Sequence, residues 1–231
     1  ERMKLQEEEY FSERAPLVAE ARNKAERERA IRALSVSATG SPERKIYEDF
    51  IAAKQIAEAG SVFCHGTRYP LTGAGDVNTY ALFAETSLQL LHPNGRSGLI
   101  IPSGIATDES TSAFFRFIIE SQSLASFYEF ENYGFFPGAG QRHMLRFALM
   151  TTGGSSLKFN NSTFIFQARK ISDLNDKRRV LTLSKVDIAR FNPITQTCPV
   201  FKTEKDKAIC EKIYEASVPV GQATTDSNQI E

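Results

Sequence analysis

The stretch DVNTYALFAETSLQLLHPNGRSGLIIPS, residues 76–103, reads as helix, turn and strand, and its reading decides the fold. Asp76 or Asn78 caps a helix through Leu91, with Tyr80, Phe83, Ser87, Leu88 and Leu91 on one face; Pro93-Asn94-Gly95 stops it. Gly98-Leu99-Ile100-Ile101 has the length and composition of a short buried strand, bounded by Pro102. The next helix, over 109–120 after a Thr107-Asp108 cap, presents Phe114, Phe115, Ile118 and Ile119, and a second strand follows over 124–130. A helix between two strands in this order is a right-handed crossover, which sets the strands parallel.

Further along, 144–152 reads as a strand, Gly153-Gly154 as a turn and 158–166 as its antiparallel partner. Short helices over 184–190 and 203–215 alternate with extended pieces, the second opened by a Thr203/Asp206 capping pair. Upstream, residues 1–58 lack strand patterning. Leu5, Tyr10, Phe11, Leu17, Val18, Ala21, Ala25, Ile31 and Leu34 recur near the helical period, and Ser41-Pro42 restarts a helix after a break at 35–41. Three segments result: a helical arm over 1–59, an α/β layer structure over 60–168 and a linker over 169–231, with the boundary near Gly60, where β-branched and aromatic runs begin.

Composition narrows the function classes. The 231 residues carry 28 cationic and 28 anionic side chains, so contact with nucleic acid depends on local patches. Cys64, Cys198 and Cys210 are too scattered for a zinc site or a disulfide framework, which points to a reducing, cytoplasmic setting. No apolar run approaches the about 18 residues that span a bilayer, and no charged-then-apolar leader opens the chain, so no membrane partner is expected. Gly73-Ala74-Gly75 lacks the lysine and hydroxyl of a phosphate loop and reads as the approach to the helix cap at Asp76.

Taken together, helix, HPNG turn, SGLIIPS strand, helix, strand, FFPGAG loop and LRFALM strand resemble the later half of the catalytic domain of gamma-type N6-adenine DNA methyltransferases. The enzymes most similar are those of type IIG restriction-modification and related phage-defence systems. ERMKLQEEEYFSERAPLVAEARNKAERERAIRAL at the start and FNPITQTCPVFKTEKDKAICEKIY near the end are similar to them too. The resemblance implies a partial Rossmann-like α/β sheet with a helical N-terminal arm, S-adenosylmethionine as cofactor and double-stranded DNA as partner. It also implies a flipped target adenine whose N6 is held by an Asn or Asp-Pro-Pro-aromatic tetrapeptide.

That tetrapeptide is absent from the sequence, because Asn192-Pro193 continues as Ile194-Thr195, and so is the family's cofactor-binding glycine loop. Glu1-Arg2 resembles the residues just after the tetrapeptide, so the chain reads as a truncated fragment, inactive alone. The missing first half of the catalytic domain would leave a sheet edge unpaired, open to self-association and of marginal stability.

The resemblance assigns Phe136, before Pro137, to stacking on the target base, with Phe135 and Tyr133 as alternatives and core packing as the plain reading of either phenylalanine. It assigns Phe83, with Tyr80 one turn earlier, to the cofactor's adenine pocket, and sets Asp76 at the border of the cofactor cleft; periodicity alone makes both rings core residues. Ser103, at the end of SGLIIPS, stands where open α/β sheets meet ligands, or caps the following loop. Strand alternation sets Arg142 and Arg146 on a face that can meet DNA phosphates; Lys177, Arg178 and Arg179 form a second basic knot. His143, His65 and His92 read as structural and complete no metal site. Two other readings stay open, a noncatalytic module that recognises DNA or docks a subunit, and methylation of a non-DNA amine or amide.

Overall fold

The computed structural model describes residues 4–65, 67–75, 77–137 and 145–216. The chain divides into two compact units, Glu1–Leu82 and Phe83–Glu231.

The first unit is helical. Helices α1 (Glu7–Phe11), α2 (Pro16–Ala19), α3 (Lys24–Ser35) and α4 (Pro42–Cys64) surround buried Phe11, Val18 and Phe50, with Tyr10, Ile31, Leu34 and Ile46 packed against them. Polar caps set the helix starts: Asn23 accepts from the Glu26 N–H at 3.0 Å, and the Ser41 hydroxyl accepts from the Arg44 N–H at 3.1 Å, with Pro42 opening the first turn. The break over 35–41 thus falls where the sequence puts it. Gly60 does not end a helix, since α4 runs through it to Cys64. A lone helical glycine costs only about 1 kcal/mol against alanine, which the flanking turns absorb.

Helix α5 (Thr79–Leu90) forms as expected, but its apolar face is turned from the predicted one. The buried positions are Ala81, Leu82, Ala84 and Glu85, whereas Phe83 is 72% exposed and Leu90 is exposed. The small alanines are buried, and the large ring points to solvent.

The second unit is built on a five-stranded sheet of order β1-β3-β2-β4-β5: β1 (Arg96–Pro102), β2 (Leu124–Glu131), β3 (Arg146–Gly153), β4 (Asn161–Ala168) and β5 (Leu181–Ser184). Between β1 and β2 run α6 (Gly104–Thr107) and α7 (Ser112–Glu120), whose Phe114, Phe115, Ile118 and Ile119 are buried as the period predicts. β3 pairs antiparallel with β1 (Leu99 with Met150) and with β2 (Phe127 with Met150). The crossover strands β1 and β2 are therefore parallel, as expected, and β3 is wedged between them in the opposite direction.

Two strand readings are corrected. β4 is not the hairpin partner of β3; it pairs parallel with β2, Phe127 opposite Phe164, and antiparallel with β5. Both edges of β3 are already occupied, and residues 154–160 are too many for a tight turn. They cross the start of β2, the Gly154 N–H donating to the Gly95 carbonyl (2.9 Å) and the Phe159 N–H to the Gln122 carbonyl (2.8 Å). β1 is not a buried strand either. It is the sheet edge, and Ile100 is 63% exposed.

Outside the sheet, α8 (Lys185–Phe191) starts on a reciprocal cap between Ser184 and Asp187, and α9 (Glu204–Ala216) on one between Thr203 and Asp206. Phe191 packs on Phe201 and Tyr214, which ties the two helices together. Among the described residues, no helix is long and apolar enough to cross a membrane.

Candidate functional site

Strands β1, β2 and β4 run in one direction and end at Pro102, Glu131 and Ala168, where the reversed strand β3 begins at Arg146. Ser103, Asn132, Arg146 and Arg169 therefore gather at the carboxyl end of the parallel strands, the end at which open α/β sheets bind ligands.

The loop leaving β2 is shaped by its own sequence. The Tyr133 N–H bonds the Glu131 carbonyl at 2.7 Å, and Gly134 adopts φ +87°, a left-handed conformation that suits glycine. The two phenylalanines then part. Phe135 turns inward, edge-on to Phe130 (5.4 Å) and Phe147 (5.3 Å). Phe136 turns outward, 42% exposed, with its ring edge-to-face on Phe147. Asn132, only 1% exposed, closes the loop: its side-chain oxygen accepts from the Phe136 N–H at 2.9 Å and its amide donates to the Phe136 carbonyl at 3.1 Å.

Behind this loop lies a buried carboxylate. Glu129 is 1% exposed, with the Arg146 guanidinium 3.7 Å away and the Gln167 N–H donating to it at 3.3 Å. Gln167 reaches it from a left-handed backbone, φ 55°. The Ser103 side chain bonds the same carboxylate, and its N–H donates to the Arg146 carbonyl at 3.1 Å. Burial pushes the Glu129 carboxyl above its ordinary range, against the opposing pull of Arg146, the Gln167 N–H and Ser103. The Cys198 thiol is pushed up by burial, with the charge of Glu129 adding to it.

The other predicted residues are spread out. Ser103 is buried and committed to Glu129, while Arg146 keeps part of its side chain in solvent. In the basic knot, Arg178 is paired with Asp176 (2.9 Å), holding that carboxyl down at about 2. Arg179 donates to the carbonyls of Phe166 and Gln167 and lies 3.5 Å from Asp173. Lys177 is exposed beside them. Arg169 covers the exposed Tyr133 ring at 5.0 Å and bonds Glu131 at 2.7 Å. Tyr80 is half-buried in the first unit, whereas Phe83 opens the second. Asp76, Arg142 and His143 lie outside the described residues. Among the described residues, no three His, Cys, Asp or Glu side chains are grouped to hold a metal.

Sequence reasoning missed Glu129, Asn132 and Cys198. For Glu129 a signal existed, because it shares a strand face with Phe127 and lies between Tyr128 and Phe130.

Residues 51–136 match the family model described as Eco57I restriction-modification methylase, so this stretch is a restriction-modification methylase-like region. No curated protein matches the chain. Among solved structures, the type IIG restriction endonuclease BpuSI is similar at 17% identity and a TM-score of 0.38, over 66% of this chain and 18% of that one. The chain thus spans less than a fifth of that protein's length.

Proposed function

We propose that this chain is part of a DNA methyltransferase that moves a methyl group from S-adenosylmethionine to the N6 of an adenine flipped out of double-stranded DNA. The observation that carries the reading is Phe136, an exposed ring on a braced loop at the ligand end of the sheet, inside the methylase-like region.

A flat aromatic side chain held in this way offers one face to an unstacked base, a contact of about 1 to 3 kcal/mol. Methyl transfer to N6 asks mainly for alignment, because the amino lone pair is delocalised into the ring. When bound, S-adenosylmethionine supplies the electrophilic methyl on sulfur. Phe83, with its ring in solvent, gives the flat apolar surface on which a cofactor adenine stacks; Tyr80 and Asp76 are assigned to the cofactor by the family resemblance alone. In this reading the residues described here hold the base, and the hydrogen-bond acceptors for N6 are not among them. Arg146 and Lys177, with Arg142 and Arg178, meet phosphates, while Ser103 acts from beneath through Glu129.

In the same reading residues 60–168 are the later part of the catalytic domain, 1–59 a helical arm, and 169–231 lead toward a target-recognition region. The outer edge of β1 receives a further strand of the catalytic sheet.

The test is transfer of tritiated methyl from S-adenosylmethionine to unmethylated plasmid DNA by the full-length protein, with the product nucleoside identified by mass. N6-methyladenine from the wild type and a loss of about tenfold or more in Phe136→Ala are expected. No methylated adenine, or an unimpaired Phe136→Ala, overturns the reading.

A further inference from the structure

We propose that Asn132 is the positioning residue for Phe136, fixing the height and tilt of the base platform by gripping both polar groups of that residue's backbone. The inference rests on the reading of Phe136 as the platform.

An exposed ring on a glycine-containing loop has no reason to hold one orientation unless its backbone is held. Here the loop turns through Gly134 at φ +87°, so its path is set by a residue with wide conformational freedom. What narrows that freedom is the Asn132 amide. It accepts from the Phe136 N–H (2.9 Å) and donates to the Phe136 carbonyl (3.1 Å), so peptide groups on both sides of the Phe136 Cα are anchored to one planar group. That planar group is itself buried. Asn132 is 1% exposed, and its N–H donates to the Leu145 carbonyl (2.9 Å) immediately before β3. The grip thus links the exit of β2, the entry of β3 and the platform.

Only an asparagine-sized amide supplies this pattern. Aspartate keeps an acceptor for the N–H but turns an anionic oxygen toward the Phe136 carbonyl; alanine removes both bonds. Glutamine carries both groups on a stem one methylene longer. The edge contact with Phe147 supports the ring from below but leaves the backbone free to pivot. Asn132 touches neither base nor cofactor in this scheme and acts only through Phe136.

The experiment compares wild type, Asn132→Asp, Asn132→Ala, Phe136→Ala and the double variant Asn132→Asp/Phe136→Ala in the full-length protein. Each is assayed on unmethylated plasmid DNA, and amide hydrogen exchange is followed over residues 124–137 and 146–153. Asn132→Asp, nearly isosteric, serves should the alanine variant fold poorly. The proposal expects faster exchange at Phe136 with β2 and β3 unchanged, and a fall in kcat/KM of about 10- to 100-fold carried by kcat. It also expects almost no further loss when the Asn132 change is added to Phe136→Ala, because a residue acting through another is silent once that other is gone. Unchanged exchange at Phe136, or losses that simply add, overturn the positioning role while Phe136→Ala alone still reports on the base platform. A fully active Phe136→Ala overturns the platform reading and the positioning role with it.

Discussion

The exposed ring of Phe136 meets the buried ring of Phe147 edge to face, centroids 5.0 Å apart and planes at 80°. Phe147 in turn lies flat on Phe130 at 5.3 Å and edge-on to Phe135, so the candidate platform stands on an aromatic stack continuous with the core. Phe147→Leu keeps an apolar filling but removes the ring contacts, and a loss of at least about 1 kcal/mol is expected in urea unfolding. Methylation falls as well, through kcat more than through DNA affinity. An unchanged kcat in folded Phe147→Leu would show that the stack gives Phe136 no support.

Glu129 titrates above its ordinary range because it is buried. The folded state therefore holds its proton more tightly than the unfolded chain does, so this group's contribution favours folding most at low pH. That contribution is lost as pH rises through the raised value. Glu129→Gln removes the dependence, so the variant gains on wild type as pH rises from about 4.5. Urea midpoints of both proteins from that pH upward check it, and a pH-independent difference counts against the buried-carboxylate account.

Two glycines separate conformational from steric cost. A Cβ on Gly134 meets nothing within 4 Å, so Gly134→Ala costs only the left-handed backbone, about 1 to 2 kcal/mol. A Cβ on Gly154 would lie 2.1 Å from the His92 carbonyl oxygen and 2.5 Å from that of Pro93. Since both are backbone, Gly154→Ala displaces the turn before β1 and costs about 3 kcal/mol. Thermal melts give the order; equal losses would contradict it.

Arg178 is engaged by Asp176 in two hydrogen bonds, 3.0 and 2.9 Å, while Lys177 is exposed. If this knot meets DNA, Lys177→Ala weakens binding and lowers the salt slope by about 0.9, the loss of one phosphate contact. Arg178→Ala changes both less. Titration of labelled duplex at several salt concentrations decides, the reverse order refuting the assignment.

When residues 1–231 are expressed alone, without the further strand proposed for it, the outer edge of β1 is open and we expect it to self-associate. Ile100→Lys puts a charge on that edge and shifts sedimentation toward monomer, as edge charges disfavour strand pairing. A monomeric wild type at the same concentration removes the edge as an association surface.

Local chemistry was the legible part of the sequence. The starts at Ser41 and Thr203 were readable because a cap involves only the next three residues, and the buried face of α7 because its four apolar residues fall together, but Thr107-Asp108 is not its cap: Thr107 ends α6, and α7 begins only at Ser112. Pairing was not, since the choice of β2 rather than β3 as partner of β4 is made by residues far apart in sequence and by which edges remain open. The orientation of α5 was missed because Ala81, Leu82 and Ala84 compete with the larger Tyr80 and Phe83 for the same face. At the candidate site the proline after Phe136 flagged the loop, and Phe135 and Phe136 proved to be one inward and one outward ring. The grip of Asn132 and the burial of Glu129 depend on tertiary neighbours that a strand pattern does not name.

The reversed strand β3 has a consequence for synthesis. β1 and β2 leave the ribosome before β3, yet they do not pair with each other; each must wait for the segment ending at Gly153. Until then the nascent chain carries two apolar strands with open edges, one of them already flanked by the phenylalanines of α7. Sheet closure is therefore a late event spanning a large sequence separation, the class of step that folds slowly and invites capture by other chains. Holding the ribosome-bound chain at the stage where β2 has emerged and β3 has not should lower the yield of native protein more than the same delay once β3 has emerged.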